Sequence, residues 1–540
     1  MRRTTAANPL PTGLRRAARA GVALLLLPLL ALGGCRVTPE DIDYWTGTVK
    51  GPGKIVAVLT ADKYEDPLRV HAGLALVRME PRESIDGVAE LHSAVRALPE
   101  ETRQRLVDQM SPGLVAMMRG EDTPEATAED EAEGAATALQ IRAKDAAFLL
   151  LRYAGAEQSA NLTDEVVDWF VVDFNRRNLA GNYSAQQVVR QLGAPGAARL
   201  VDAMNARLPQ AALVQLAELI NSIGDDATKD RGAERLIAIL DEMQAEPFMD
   251  WLKERLREQL RARLEEQGRE VEIDENRVSA AAAINRNSFV NNGALTAMRQ
   301  LNQQRAIQDR LLAMALVEAT SPAEAVERRR KALQAMEGSV REDQVQALLG
   351  LALNEAVPIG VRDDAFDRVS DSGATSALTT LWPVFEETDD TTLRFRVGSL
   401  ILTLGGPDVI VPFFEKLDDD AYSHEELYGY GERLSQVRPE PDEAMVAKLS
   451  SRRWYDRVIA LFYWQRRATA EQLSRIEGLV EDRAATNGAN WAEDEMATVG
   501  AVAQAALREA RNRLGIPNPE APSEEEAEAA ASSRGGGEDG

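Results

Sequence analysis

Apolar residues recur along this chain at helical spacing, in short segments separated by Gly, Pro and polar clusters. Within residues 393–405, Leu393, Val397, Leu400, Ile401 and Leu404 follow i, i+4, i+7, i+8, i+11, a single stripe on a 3.6-residue helix. No long stretch alternates with period two, so no strand competes. Leu-Gly steps return in matching contexts. Gln191-Leu192-Gly193-Ala194-Pro195 and Thr403-Leu404-Gly405-Gly406-Pro407 each lead from an apolar helix, through a proline, into a second apolar helix (residues 196–206 and 408–417). Glycine accepts the left-handed turn that closes a helix, and proline suits the first turn of the next. Ile223-Gly224 and Ser372-Gly373 occupy equivalent points. The spacing is 31 residues from Gly193 to Gly224 and 32 from Gly373 to Gly405. Aligning the last two sets Val361-Arg362-x-x-Ala365 over Leu393-Arg394-x-x-Val397. A two-helix unit repeating at this period predicts an all-α, right-handed solenoid of about a dozen antiparallel pairs, each hiding its apolar flanks against its neighbours.

The pattern also divides the chain. Residues 54–250 and 341–515 carry the repeats, the latter ending in a helical cap near 491–514. Residues 251–340 form an irregular helical insertion. It opens with WLKERLREQLRARLEEQGR, in which Leu252, Leu256, Leu260 and Leu264 lie four apart among interleaved Glu and Arg. Residues 35–53, with Pro39, Gly47, Gly51, Pro52 and Gly53, read as a tether. Residues 121–134 are acidic and read as a solvated loop. Residues 516–540 combine three prolines with SEEEAEAAASSRGGGEDG and read as a disordered acidic tail.

Composition narrows the function. Of 540 residues, 87 are Asp or Glu and 62 Lys or Arg, a net charge of −25, so nucleic acid is disfavoured as a partner. One cysteine excludes a disulfide framework and a cysteine metal centre. His71, His92 and His424 are far apart in sequence and read as ordinary polar positions. Asp418, Asp419 and Asp420, followed by Tyr422, His424, Glu425 and Glu426, are the densest oxygen-ligand run. They lack the alternating ligands and fixed glycine of a calcium loop, and read as a solvated linker. There is no nucleophile elbow and no glycine-rich phosphate loop after a strand. The expectation is a non-enzyme without metal or cofactor.

Arg2, Arg3, Arg15, Arg16 and Arg19 precede the apolar run AGVALLLLPLLAL, which ends in Leu32-Gly33-Gly34-Cys35. A basic head, a short apolar stretch and small residues describe a secretory signal rather than a membrane span. Leu32-Gly33-Gly34-Cys35 resembles the lipobox of bacterial lipoproteins, which implies cleavage after residue 34 and lipidation of Cys35. Loss of five arginines and no acid takes 62 bases to 57 against 87 acids, so the charge moves from −25 to −30. Acyl chains at about 0.8 kcal/mol per buried CH₂ give a durable anchor. Arg36, where inner-membrane retention uses Asp, implies the outer membrane, with the chain facing the periplasm.

The repeats also reach a family. Asp66-Pro67-Leu68-Arg69-Val70-His71-Ala72-Gly73-Leu74-Ala75-Leu76 resembles the second helix of short HEAT repeats of the phycobilisome-lyase type, one residue short before the Arg. Val361-Arg362-Asp363-Asp364-Ala365 and Arg142 with Ala146 are partial matches. The Trp/Gly/Tyr pattern of tetratricopeptide repeats, the architectural alternative, is missing. The resemblance implies a scaffold that binds a protein or peptide, with negative potential favouring a basic one; a cell-wall-binding or cell-wall-modifying envelope protein is the alternative. WYDRVIALFYW is apolar almost all round. It is either sandwiched in the stack, the first reading, or offers Trp454, Tyr455, Tyr463 and Trp464 to a docking partner.

Overall fold

The structure is a computed structural model. It describes residues 36–518 apart from 83–84, 122–137, 173–176, 178–179, 268–272, 318–322, 418–420 and 492–494. Leu32, Gly33, Gly34, Cys35, the aspartates at 418–420, most of the acidic loop and the tail from 519 lie outside the described residues. The described backbone is helical nearly throughout, with only isolated bridges of extended chain at Arg82–Ile85 and Ala485–Thr498. It divides into two compact units, at residue 192.

The first unit holds α1 (Pro39–Thr46), α2 (Gly51–Thr60), α3 (Asp66–Arg78), α4 (Gly87–Ala97), α5 (Glu100–Arg119), α6 (Ala138–Leu150), α7 (Ala156–Val172) and α8 (Ala185–Leu192). Residues 36–53, expected to be a tether, are folded instead. Thr38 and Asp41 form a reciprocal capping box that starts α1. Ile42 is fully buried, against α2 and α3, while Glu40, Asp41 and Asp43 face water. The proline and glycines signalled flexibility, yet one buried isoleucine and a capping box suffice to order α1 against α2 and α3. The later helices overlap in pairs: α2 packs on α3 and α4, α3 on α5, and α5 on α6 and α7.

The second unit runs through α9 (Ala194–Ala203), α10 (Gln210–Ile223), α11 (Asp226–Gln244), α12 (Glu246–Glu266), α13 (Glu275–Ser288), a π-helical turn at Phe289–Ala294, α14 (Leu295–Gln300), α15 (Arg305–Leu316) and α16 (Ala323–Ala335). It continues with α17 (Val345–Leu353), α18 (Ile359–Ser372), α19 (Leu378–Glu387), α20 (Thr391–Gly405), α21 (Ile410–Lys416), α22 (His424–Gln436), α23 (Asp442–Lys448), α24 (Trp454–Arg467), α25 (Ser474–Glu477) and α26 (Val499–Leu514). From α16 onward the second helix of each pair rests on the next one, α16 on α18, then α20, α22, α24 and α26. That is the solenoid ladder the repeat predicts. Residues 391–416 are apolar enough to cross a membrane, but over half of the run is buried in this stack.

The repeated arginine has a physical task. Arg69 Nε donates to Leu59 O at 2.9 Å, Arg362 Nε to Ala352 O at 2.9 Å and Arg329 Nε to Ala315 O at 2.8 Å. In each pair an arginine of the second helix, in its first turn or two, satisfies a carbonyl left open at the end of the first. Further arginines tie one pair to the next, as Arg330 to Asp364 at 2.8 Å and Arg466 to Glu432 at 2.9 Å, 34 residues apart in both cases. The glycine reading needs one adjustment. Gly193 (φ 64°, ψ −144°) and Gly406 (φ 56°, ψ −140°) share a conformation reserved for glycine, whereas Gly405 is still helical and Gly224 is extended. The break falls one residue later relative to the proline in the second copy.

Candidate functional site

The aromatic helix places its residues inside. Tyr455, Tyr463 and Trp464 are buried and Trp454 is half-buried, because α24 lies between α22 and α26. Tyr455 Oη donates to Leu417 O at 3.1 Å, Tyr463 bonds Asp442, and Arg475 covers the Trp464 ring at 4.2 Å. The docking reading of these four residues is therefore corrected: their area is spent on the stack. The histidines are also committed. His71 bonds Asp43 at 2.8 Å, His92 lies beside Arg152 and Tyr153, and His424 packs against Trp491 and Phe462 at 5.1 and 5.5 Å. Among the described residues no cluster of His, Cys, Asp and Glu has the makings of a metal site.

The side chains left over by the packing meet elsewhere, on the outer face of α18, α20 and α22. On α20 the apolar stripe (Leu393, Val397, Leu400, Ile401, Leu404) turns inward, so Phe395, Arg396, Ser399 and Thr403 turn outward. On α18, Val361, Ala365 and Val369 are buried, leaving Asp363, Asp367 and Ser370 on the face, with Phe366 at its edge. The small Ser370, Ser399 and Thr403 leave a gap between the rings of Phe366 and Phe395. It forms a cavity of about 250 Å³, closed at one end by Arg433 of α22. Phe395 leans onto α22 because Gly429 has no Cβ: one would lie 2.3 Å from the ring. The ring also packs on Tyr430 at 5.3 Å. Phe366 and Arg396 also line a second cavity of about 170 Å³, with Ile359, Arg362 and Asp390. The two cavities share Phe366 and Arg396.

Its electrostatics follow from which carboxylates are already engaged. Asp363 pairs with Arg396, Asp364 with Arg330, and Asp371 with Arg368 at 2.9 Å. Asp390 caps α20 by accepting from Thr392 N and Leu393 N at 2.9 and 3.1 Å. Asp367 alone of this set has no hydrogen bond or ion pair among the described residues. Its carboxyl is pushed above the ordinary range. Asp367 is itself exposed at the rim of the groove; partial desolvation there is the main cause, Asp364 and Asp371 add to it, and Arg368 and Arg396 oppose it. Ser399 Oγ is buried without a partner beside it. The groove thus sets one unengaged carboxylate, hydroxyls and two aromatic rings beside two guanidiniums, Arg396 on Asp363 and Arg433 on Gln436; a cationic side chain fits only at the Asp367 end. The sequence carried a signal for this site. Asp363, Asp364, Asp367 and Asp371 stripe one side of α18, and Phe395 falls off the apolar stripe of α20. Only the packing shows that these features adjoin and that one acid stays unpaired.

No family model matches the sequence, and no curated protein matches it. Among solved structures, the crystal structure of Kap121p matches 88% of this chain and 50% of its own, at 11% identity and a TM-score of 0.32. The crystal structure of Kap121p bound to Pho4p matches 92% of this chain and 51% of its own, at 11% identity and a TM-score of 0.26. The chain thus spans about half the length of each. A likeness this distant adds nothing to what the packing itself shows.

Proposed function

We propose that this chain is a lipid-anchored, non-catalytic scaffold of the bacterial cell envelope. It holds a basic, extended segment of a partner protein in the groove of α18, α20 and α22. The observation that carries the binding half is Asp367, an unengaged carboxylate between Phe366 and Phe395 on a face whose other acids are paired. Net charge favours the same ligand class, since −25 draws cations toward the surface. The address rests on Leu32-Gly33-Gly34-Cys35 after a basic, apolar head. The anchor is taken to sit in the outer membrane and the folded chain to face the periplasm. Because α1 starts at Pro39, only residues 36–38 separate Cys35 from folded structure, at most about 10 Å of extended chain, so the first unit would ride close to the bilayer.

Fluorescence anisotropy with labelled peptides that mix Lys or Arg with Leu or Phe tests the binding half. Saturable binding is expected, weakened about tenfold in Asp367→Asn, and equally in Thr403→Trp, which fills the groove from its exposed rim. Acidic counterparts should not bind. Equal binding by wild type and Asp367→Asn would sink the groove, and capture of purified peptidoglycan instead would favour the cell-wall alternative. Metabolic labelling tests the address: a fatty-acid label should enter the wild type and not Cys35→Ser, and an unlabelled wild type would exclude lipidation as the anchor.

A further inference from the structure

A third cavity lies elsewhere in the second unit, where the loop before α10 faces the junction of α11 and α12. It measures about 480 Å³, within the usual range for small-molecule sites, and is lined by Asn205, Ala206, Arg207, Glu242, Ala245, Pro247 and Phe248. Ala206 and Phe248 form a buried apolar floor, 4% and 5% exposed. Phe248 is held by Trp251 at 5.2 Å and Phe289 at 5.5 Å, an aromatic cluster that gives the floor a fixed shape.

The polar groups are divided in a telling way. Asn205 is engaged, its Nδ2 donating to Ala203 O at 3.2 Å and its Oδ1 accepting from Arg207 N at 3.0 Å. Glu242 is paired with Arg235 at 2.9 Å. Arg207 is different. Its guanidinium lies over the Trp251 ring at 5.8 Å, and Arg255 lies over the same ring at 5.4 Å. Neither guanidinium has a hydrogen bond or ion pair among the described residues, in a chain with 87 acids. The nearby Glu246 and Asp250 are both drawn to Lys253, at 3.6 Å each. An apolar pocket therefore opens beside one cation, Arg207, that is held on an indole, while the pocket's one acid, Glu242, is taken by Arg235.

We infer that this pocket binds a single-chain amphipathic carboxylate, its acyl chain on Ala206 and Phe248 and its carboxylate at Arg207. Charge complementarity sets the sign of the head group. The engaged state of Asn205 and Glu242 sets the body: a peptide would bring backbone donors and acceptors that these side chains cannot answer, whereas an acyl chain brings none. The site is independent of the α18–α20–α22 groove and of the anchor.

Calorimetry on the full folded chain with decanoate, kept below its micellar concentration, tests this. One saturable site is expected, weakened at least tenfold by Arg207→Glu and by Ala245→Trp. Both substitutions are at exposed positions, which leaves the core intact. Decyltrimethylammonium should not bind the wild type and should gain affinity for Arg207→Glu. The idea is overturned if decanoate shows no saturable site. It is overturned equally if cation and anion bind alike, or if an N-acetylated Phe-Glu peptide saturates the pocket in preference to decanoate.

Discussion

Lys144 and Asp145 are neighbours on α6 and are 1% and 3% exposed. Lys144 Nζ donates to Ala180 O at 2.9 Å and Tyr183 O at 2.5 Å, and pairs with Asp145. Asp145 Oδ2 accepts from Asn182 N at 2.8 Å. Together they pin the turn at Gly181, whose φ of 88° admits glycine and where a Cβ would lie 2.7 Å from Asp145. Burial pushes the Lys144 ammonium below its ordinary range, and Asp145 opposes that. Lys144→Met would strand a buried carboxylate, so urea denaturation should show a loss of about 3–5 kcal/mol. Asp367 shows the opposite economy of a binding residue. Its folded pKa is raised, so its contribution to stability is full below the unfolded pKa near 4 and is lost as pH rises through the folded value. Asp367→Asn should therefore melt slightly above wild type at pH 7, with the gap closing near pH 3.5. Basic-peptide affinity should run the other way, falling with acid from above the usual carboxylate range, and the Asn variant should not follow it.

Among the helices, the arginine staple and the close approach of α22 to α24 matter most. Arg362→Ala would leave Ala352 O at the end of α17 without its donor and should cost about 1.5–3 kcal/mol in urea unfolding. Lys at this position should recover only part of that, since the guanidinium fork is pre-organised and the ammonium is not. Gly431 on α22 faces α24 so closely that a Cβ would lie 2.5 Å from the Cβ of Phe462 and 3.0 Å from Ile459 O. Gly431→Ala should destabilise by about 1–3 kcal/mol through overpacking, visible as a lowered Tm. This contact is also why the aromatic helix has no face to offer a partner: backbone meets backbone there.

At the scale of the whole molecule, charge governs encounter more than holding. A surface this acidic accelerates the approach of cations from beyond contact range, and salt screens that field within about 10 Å at 0.1 M. Stopped-flow association of a basic peptide should slow about tenfold or more as salt is raised from 10 to 300 mM, while dissociation, set inside the groove, changes little.

Period, helix content and the arginine signature were legible in the sequence because they are local. A 3.6-residue stripe, a Leu-Gly-x-Pro break and an early arginine are each set by neighbours within one helical pair. The same local reading took residues 36–53 for a tether. A capping box and a single buried isoleucine are tertiary facts, and they outweighed the glycines and prolines. Nor could the sequence rank its acids. Asp363, Asp364, Asp367 and Asp371 look alike on one helix; only the positions of Arg396, Arg330 and Arg368 leave Asp367 unpaired. Likewise Trp454–Trp464 has the composition of a docking face, and α22 and α26 made it core. Periodicity decides that a side chain is apolar and on a given face. Which groups remain unengaged is decided by contacts some 30 residues apart, and binding depends on those groups.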